Sequence, residues 1–255
     1  MEETVVMNDE QTESFLRCLS ILRDICVDAD IKNGLIRQRS ADKTSIFEID
    51  LTPLTTEVDL PLSNLKQKLD LFKIFSDTSV QLDVSDEHFS FKDDHSVLSF
   101  KTPIAEYFPS EFINENELNN IFTLSEDNLL IEKELSKVTT DRIKIVTQVF
   151  NTPTVQVRFN GNVAAIIANV QSKDQEAQFC DNIETNNIDV GNQTTNIVAI
   201  PFLIDHDTDI YFKMYSSVQP GVVFSKFSTQ LGDVDINVYT RSAMIADNED
   251  DETPF

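Results

Sequence analysis

The chain has 255 residues, 40% of them apolar, with eighteen Phe, five Gly and no Trp; that supports a real core and excludes wholesale disorder. Forty-four acidic residues against twenty basic ones give a formal charge of −24. Such a surface repels nucleic acid and anionic membranes on average, and binds DNA only where basic residues are gathered on one face. Cys18, Cys26 and Cys180 are an odd number with no CxxC pair, which reads as buried thiols in a reducing compartment. The start, Met1-Glu2-Glu3, has no secretory signal pattern, and no apolar run approaches the ~18 residues of a membrane span. A soluble, cytoplasmic protein without a membrane partner is expected.

Four similar segments follow one another, each a strand, a helix and two or three further strands. The first has a strand near 3–7 and a helix near 10–26, with Phe15, Leu19, Leu22 and Cys26 as its apolar stripe. Strands follow near 30–37 and 44–51. The second opens with a strand at 58–60. Its helix is expected from Pro61 to Phe75, with Leu62, Leu65, Leu69 and Phe72 inward, because proline suits the first helical turn. Alternating strands near 79–84, 88–92 and 97–102 are separated by the turn signals Asp86-Glu87 and Asp93-Asp94.

The pattern lapses between Pro103 and Asn128, a polar, acidic stretch with aromatic anchors. It reads as an interdomain linker, with a short helix at 115–119 as the alternative. The third segment has a strand near 129–135 and a helix near 139–150. Thr139 or Thr140 is its expected cap, and Ile143, Val146, Val149 and Phe150 its inward face. Strands near 154–160, 163–170 and 175–183 follow, the first two joined by the hairpin signal Asn160-Gly161-Asn162. A polar Asn/Thr-rich stretch, 184–196, leads to a strand at 197–200. After Pro201 comes a very short helix, then strands near 209–217, 222–228 and 234–241. The tail from 247 is acidic.

The segments echo one another in sequence. Phe75–Val84 (FSDTSVQLDV) aligns with Phe150–Phe159 (FNTPTVQVRF), and Val58-Asp59-Leu60-Pro61-Leu62 with Val198-Ala199-Ile200-Pro201-Phe202. The first echo links the second segment to the third, so the repeating element is half a domain, used four times. Two helices and about eight strands per half make an α+β protein with helices covering sheets.

With its helix at Phe15–Cys26 leading into 31–40, the run Val58–Leu62, the linker, and the strand-turn-strand at 154–170, the chain resembles the DNA sliding clamps. The likeness is to the two-domain type, as in the proliferating cell nuclear antigen of eukaryotes and archaea and the T-even bacteriophage processivity factor. The length and the brief fourth helix are similar to the phage type. The resemblance implies an α+β DNA clamp fold, with helices lining a ring channel and antiparallel sheets outside. It implies domains at 1–103 and 129–246, a linker at 104–128 and an acidic tail at 247–255. It further implies a homotrimer, because six domains close a ring. The function implied is that of a processivity factor, which encircles duplex DNA without regard to sequence and tethers a DNA polymerase. A clamp loader would be a second partner, and neither an enzymatic activity nor a cofactor is implied. The other class considered is a β-rich viral structural or assembly protein, which the Asn/Thr-rich stretch would suit.

The clamp reading sets an expectation about charge. Arg17, Arg23, Lys66, Lys68, Lys73, Lys137, Arg142 and Lys144, eight of the twenty basic residues, lie on or beside three of the expected helices. They are the candidate DNA-facing residues, although Lys and Arg are also good exposed helix formers. Contact would be to phosphates without base readout, which leaves no preferred register and so permits sliding. The fourth helix carries no Lys or Arg. The linker residues Ile104, Tyr107, Phe108, Phe112 and Ile113 are the candidates for a partner-peptide groove, or simply pin the linker to the sheet.

Signals of catalysis are poor. His88, His95 and His206 are scattered, and Asp205-His206-Asp207-Thr208-Asp209 matches neither a zinc pattern nor an EF-hand loop. No Walker loop, GxSxG or HExxH occurs.

Overall fold

The computed structural model describes residues 3–103, 112–169, 176–186 and 190–246. Ile104, Tyr107, Phe108 and the tail from 247 lie outside the described residues. The chain divides into two compact units. The first comprises Met1–Leu118, Asp205–Asp207 and Thr229–Asn237, and the second Asn119–Ile204, Thr208–Ser228 and Val238–Phe255.

In the first unit, β1 (Glu3–Met7) leads into α1 (Asp9–Leu22) and then β2 (Ala29–Lys32), β3 (Leu35–Arg39) and β4 (Ser45–Asp50). A single turn, α2 (Thr52–Thr55), connects to β5 (Leu60–Leu62), α3 (Leu65–Phe72), a 3-10 turn (Lys73–Phe75), β6 (Val80–Val84), β7 (His88–Lys92) and β8 (Val97–Lys101). The short α4 (Glu115–Ile121) follows. In the second unit, β9 (Leu129–Leu135) leads into α5 (Lys137–Val149), β10 (Thr154–Asn160), β11 (Val163–Asn169) and β12 (Glu176–Glu184). Then come β13 (Asn192–Val198), α6 (Ile200–Leu203), β14 (Ile210–Ser216), β15 (Val222–Leu231) and β16 (Val234–Ala246). The half-domain repeat is therefore a strand, a helix and three strands, in four successive copies.

All described strand pairs are antiparallel, and their order explains why the repeat comes in pairs. The opening strand of each copy crosses over to the first post-helix strand of its neighbour. Thus β1 pairs β6 and β5 pairs β2, while β13 pairs β10 and β9 pairs β14. The strand orders β1-β6-β7-β8 and β5-β2-β3-β4 result in the first unit, and β12-β11-β10-β13 and β9-β14-β15 in the second. One copy alone would leave its opening strand unpaired.

Asn8 starts α1 by a capping box, its side chain accepting from Gln11 N–H while the Gln11 side chain accepts from Asn8 N–H. Phe15, Cys18, Leu19 and Leu22 are then fully buried. They meet a phenylalanine core in which Phe91 of β7 has ring centroids of Phe72, Phe15, Phe75 and Phe89 at 4.4, 6.1, 6.3 and 6.3 Å. Cys18 lies in this layer, and burial pushes its thiol up to about 12; Cys26 is buried as well.

Several boundaries differ from the sequence expectation for identifiable reasons. The strand expected at 30–37 is broken into β2 and β3 by Asn33 and Gly34, both at positive φ. A Cβ on Gly34 would stand 2.2 Å from the Thr56 carbonyl oxygen, at a φ of +74°. Gly34→Ala is therefore expected to cost about 1–3 kcal/mol or more, read as a lowered urea midpoint; an unchanged midpoint would contradict this geometry.

Pro61 sits inside β5 rather than at a helix start. That strand has β2 on one side only, so a residue lacking N–H is tolerated there. The helix begins later, after Asn64 in the left-handed region, whose N–H bonds Asp28 Oδ1 at 2.7 Å. The stretch at 184–196 is not all loop: β13 starts at Asn192, with Thr194 and Thr195 buried between β10 and β16. Threonine is β-branched and suits a paired central strand. The segment read as linker holds α4, the alternative reading, with Leu118 buried; the Phe122 ring beyond it packs on Phe224 and Tyr239 at 5.2 and 5.5 Å.

The inward face of α5 also needs correcting. Ser136, not Thr139 or Thr140, caps the helix, accepting from Thr139 N–H. The buried residues are Thr140, Ile143 and Thr147, whereas Val138, Ile145, Val149 and Phe150 are exposed.

Candidate nucleic-acid interface

The amphipathic pattern of α1, α3 and α5 decides which cations reach solvent. Because Phe15, Leu19 and Leu22 of α1 face the core, Arg17 and Arg23 stand on its other flank, partly exposed. On α3, Leu65, Leu69 and Phe72 are buried while Lys66 and Lys73 are exposed. On α5, Lys137 and Arg142 are exposed and Lys144 is half-buried. The burial of Ile143 rather than Val149 and Phe150 turns Arg142 outward.

Lys68 departs from the set. It is 9% exposed, donates to the backbone oxygen and hydroxyl of Ser63, and lies over the Phe100 ring at 5.5 Å. Burial lowers its pKa, against the pull of Asp28. It is a packing residue, tied to the start of its own helix.

The remaining cations differ in how far they are already neutralised. The Arg17 guanidinium bonds Asp205 through Nε and Nη2 at 3.0 and 2.8 Å, and Asp207 through Nη2 and Nη1 at 3.1 and 3.4 Å. Asp207 also accepts from Gly232 N–H at 3.0 Å. Arg17 thus holds the 205–207 loop and the β15–β16 turn to α1. Arg23 Nη2 and Lys73 Nζ share one oxygen, Asp70 Oδ1, at 3.4 and 2.9 Å. The hydrogen bond from Lys73, then the charges of Arg23, Lys73 and Lys66, hold the Asp70 carboxyl below the usual range. Lys66, Arg142 and Lys144 make no ion pair with another described residue. The fourth helix, α6, is one turn long and without a cation; the loop after it supplies the carboxylates that engage Arg17.

The partner-groove candidates divide. Ile113 is buried and its N–H bonds the Arg37 carbonyl of β3 at 2.8 Å, so it pins the chain to that strand. Phe112 beside it is half-buried. Arg37 itself is held by Glu48 at 2.6 Å, and Glu48 accepts from the Asn237 amide at 3.0 Å. Sequence reasoning did not find this buried ion pair, whose partners sit opposite each other on β3 and β4.

Among the described residues no group of three or more His, Cys, Asp or Glu side chains could hold a metal. Asp205 and Asp207 are spent on Arg17, and His206 between them is buried. No helix among these residues is long and apolar enough to cross a membrane.

No sequence-family model and no curated protein matches the chain. Solved structures do. A PCNA2–PCNA3 complex from Sulfolobus tokodaii aligns with a TM-score of 0.64 at 14% identity, over 96% of this chain and 100% of that one. A. fulgidus PCNA, solved with the C-terminal region of FEN-1, aligns with 0.63 at 12% identity, over 98% and 100%. The Helicobacter pylori beta clamp, solved with a DNA ligase peptide, aligns with 0.58 at 12% identity, over 98% of this chain and 68% of that one.

Proposed function

We propose, from the DNA sliding-clamp fold that this chain has, that it is a non-enzymatic processivity factor: three copies close head to tail around duplex DNA and tether a polymerase to it. The organisation proposed is two clamp domains, 1–103 and 129–246, joined by 104–128, with 247–255 as a tail. The observation that carries the reading is that Lys66, Lys73 and Arg142 are exposed, and Arg23 and Lys144 partly so, on or beside helices of a chain whose formal charge is −24. A small set of cations on helices and an acidic remainder confine DNA to the helix side. Contacts from long flexible side chains to phosphates give affinity without register.

Self-association is supported by a feature present in each unit. Strand β8 has a neighbour on one side only, and so does β12. The helix beneath each edge exposes apolar side chains: α3, which meets β8 through Phe72 and Phe100, leaves Leu71 uncovered, and Ile74 of the 3-10 turn that follows is exposed as well. Against β12, α5 leaves Ile145, Val149 and Phe150 uncovered. Two unlike apolar edges on one chain make a head-to-tail contact, which ends only in a closed ring or a filament. The partners proposed are a clamp loader, a polymerase and other DNA-processing proteins that dock by short peptides, the mode in which the FEN-1 and ligase segments were solved on their clamps.

The test is retention on DNA. Protein loaded on nicked circular DNA should remain bound through gel filtration at moderate salt and be lost once the circle is linearised. Lys66→Glu with Arg142→Glu should lower retention on the circle by roughly tenfold or more, two phosphate contacts becoming repulsions. Equal retention on linear and circular DNA would rule out encirclement.

A further inference from the structure

A cleft of about 270 Å³ runs between α1 and α3, and Arg17, Arg23, Lys73 and Ser76 are among the residues that line it. Three cations converge there, yet each meets a carboxylate of the protein first. Arg17 is the more fully engaged: Asp205 and Asp207 each take one edge of the guanidinium, and Asp207 also fastens the Gly232 turn. The arrangement around Arg23 and Lys73 is looser. A single oxygen of Asp70 serves both, the Arg23 contact is long at 3.4 Å, and Asp70 is half exposed with 48% of its side chain open to solvent. Arg23 Nε–H has no acceptor among the described residues. An aspartate held by its own helix reaches one edge of this donor pair; an anion with two free oxygens satisfies both.

We propose that Arg23 and Lys73 form a seat for one phosphodiester group of duplex DNA, and that Asp70 is its internal competitor, occupying the seat until DNA displaces it. The inference rests on the clamp reading, since α1 and α3 must face DNA. The exchange is neutral in charge: one carboxylate leaves for solvent as one phosphodiester enters. Phosphate competes by presenting both of its free oxygens to the pair, where Asp70 engages it through Oδ1 alone. Asp70 therefore weakens the grip at this point and favours movement along DNA over pausing on it.

The test uses the full chain and a labelled short blunt duplex, with affinity measured by fluorescence anisotropy over a range of salt. Asp70→Asn keeps the shape of the side chain and removes its charge. It should bind about tenfold tighter at low salt, with the slope of log K against log salt steeper by up to about 0.9, since the one phosphate then enters without freeing a carboxylate. The charge-matched control is Asp94→Asn, an exposed carboxylate in the β7–β8 turn, which should match the wild type. An unchanged affinity and slope for Asp70→Asn, or an equal gain for Asp94→Asn, overturns the seat. Wild-type protein retained on circular DNA in that same case keeps the clamp reading intact. If neither the wild type nor either variant binds the duplex or stays on the circle, the clamp reading falls and the seat with it.

Discussion

Phe91→Ala should destabilise the protein by about 3–5 kcal/mol, the range for emptying a fully packed aromatic site. Phe91 lies on β7, between β6 and β8, and is 2% exposed. Four phenylalanine rings from α1, the α3 segment and β7 itself surround it, the nearest, Phe72, with its centroid at 4.4 Å. These neighbours come from both repeats of the first unit, so the cavity cannot be closed by one element moving alone. The chain has no Trp, so urea unfolding is followed by far-UV circular dichroism. Val97→Ala, at an exposed position of β8, is the matched control and should stay within about 0.5 kcal/mol. A Phe91→Ala loss below that of the control would mean that the aromatic cluster is not the core of the unit.

Val149→Asp should leave each unit folded and abolish assembly. Val149 is 71% exposed, so the folded chain bears no penalty for a carboxylate there. In the proposed ring the same side chain is covered by the next copy, and burying an uncompensated polar group costs roughly 2–7 kcal/mol at each contact. Closure multiplies that cost over every contact of the ring. Light scattering coupled to gel filtration should give a trimer mass for the wild type and a monomer mass for Val149→Asp, with unchanged circular dichroism. The matching change on the other edge, Ile74→Asp, should do the same. A wild-type monomer at micromolar concentration would sink the proposed assembly.

The helices were legible because their buried stripes recur at helical spacing, and Phe15, Leu19 and Leu22 fill the core as that spacing implies. Their starts were not legible, because what starts them is remote: α3 begins where Asn64 reaches Asp28, across the β2–β5 edge. The face of α5 was misread for another reason. Periodicity marks side chains that avoid water and does not say what covers them; Val149 and Phe150 belong to a stripe that the chain itself leaves open. The cations were legible as residues opposite the apolar stripes. Their partners were not, since Asp205 and Asp207 lie far along the chain from Arg17, and Lys68 turns inward only because Ser63 and Phe100 are there to receive it. The Asn/Thr-rich strand was hidden by its polar composition, which reads as loop until two flanking strands supply its hydrogen bonds.

The crossed opening strands have a consequence for the order in which the protein takes shape on the ribosome. Met7 must wait for Val80, and Leu135 for Ile210, before their ladders can close. The first unit also contains Asp205–Asp207 and Thr229–Asn237, so Arg17 gains its aspartates only when residues 188 and 190 positions further on have been made. Folding dominated by such distant pairings is slow and leaves strand edges open meanwhile. A nascent chain of this protein therefore passes through a long stage as an incomplete sheet.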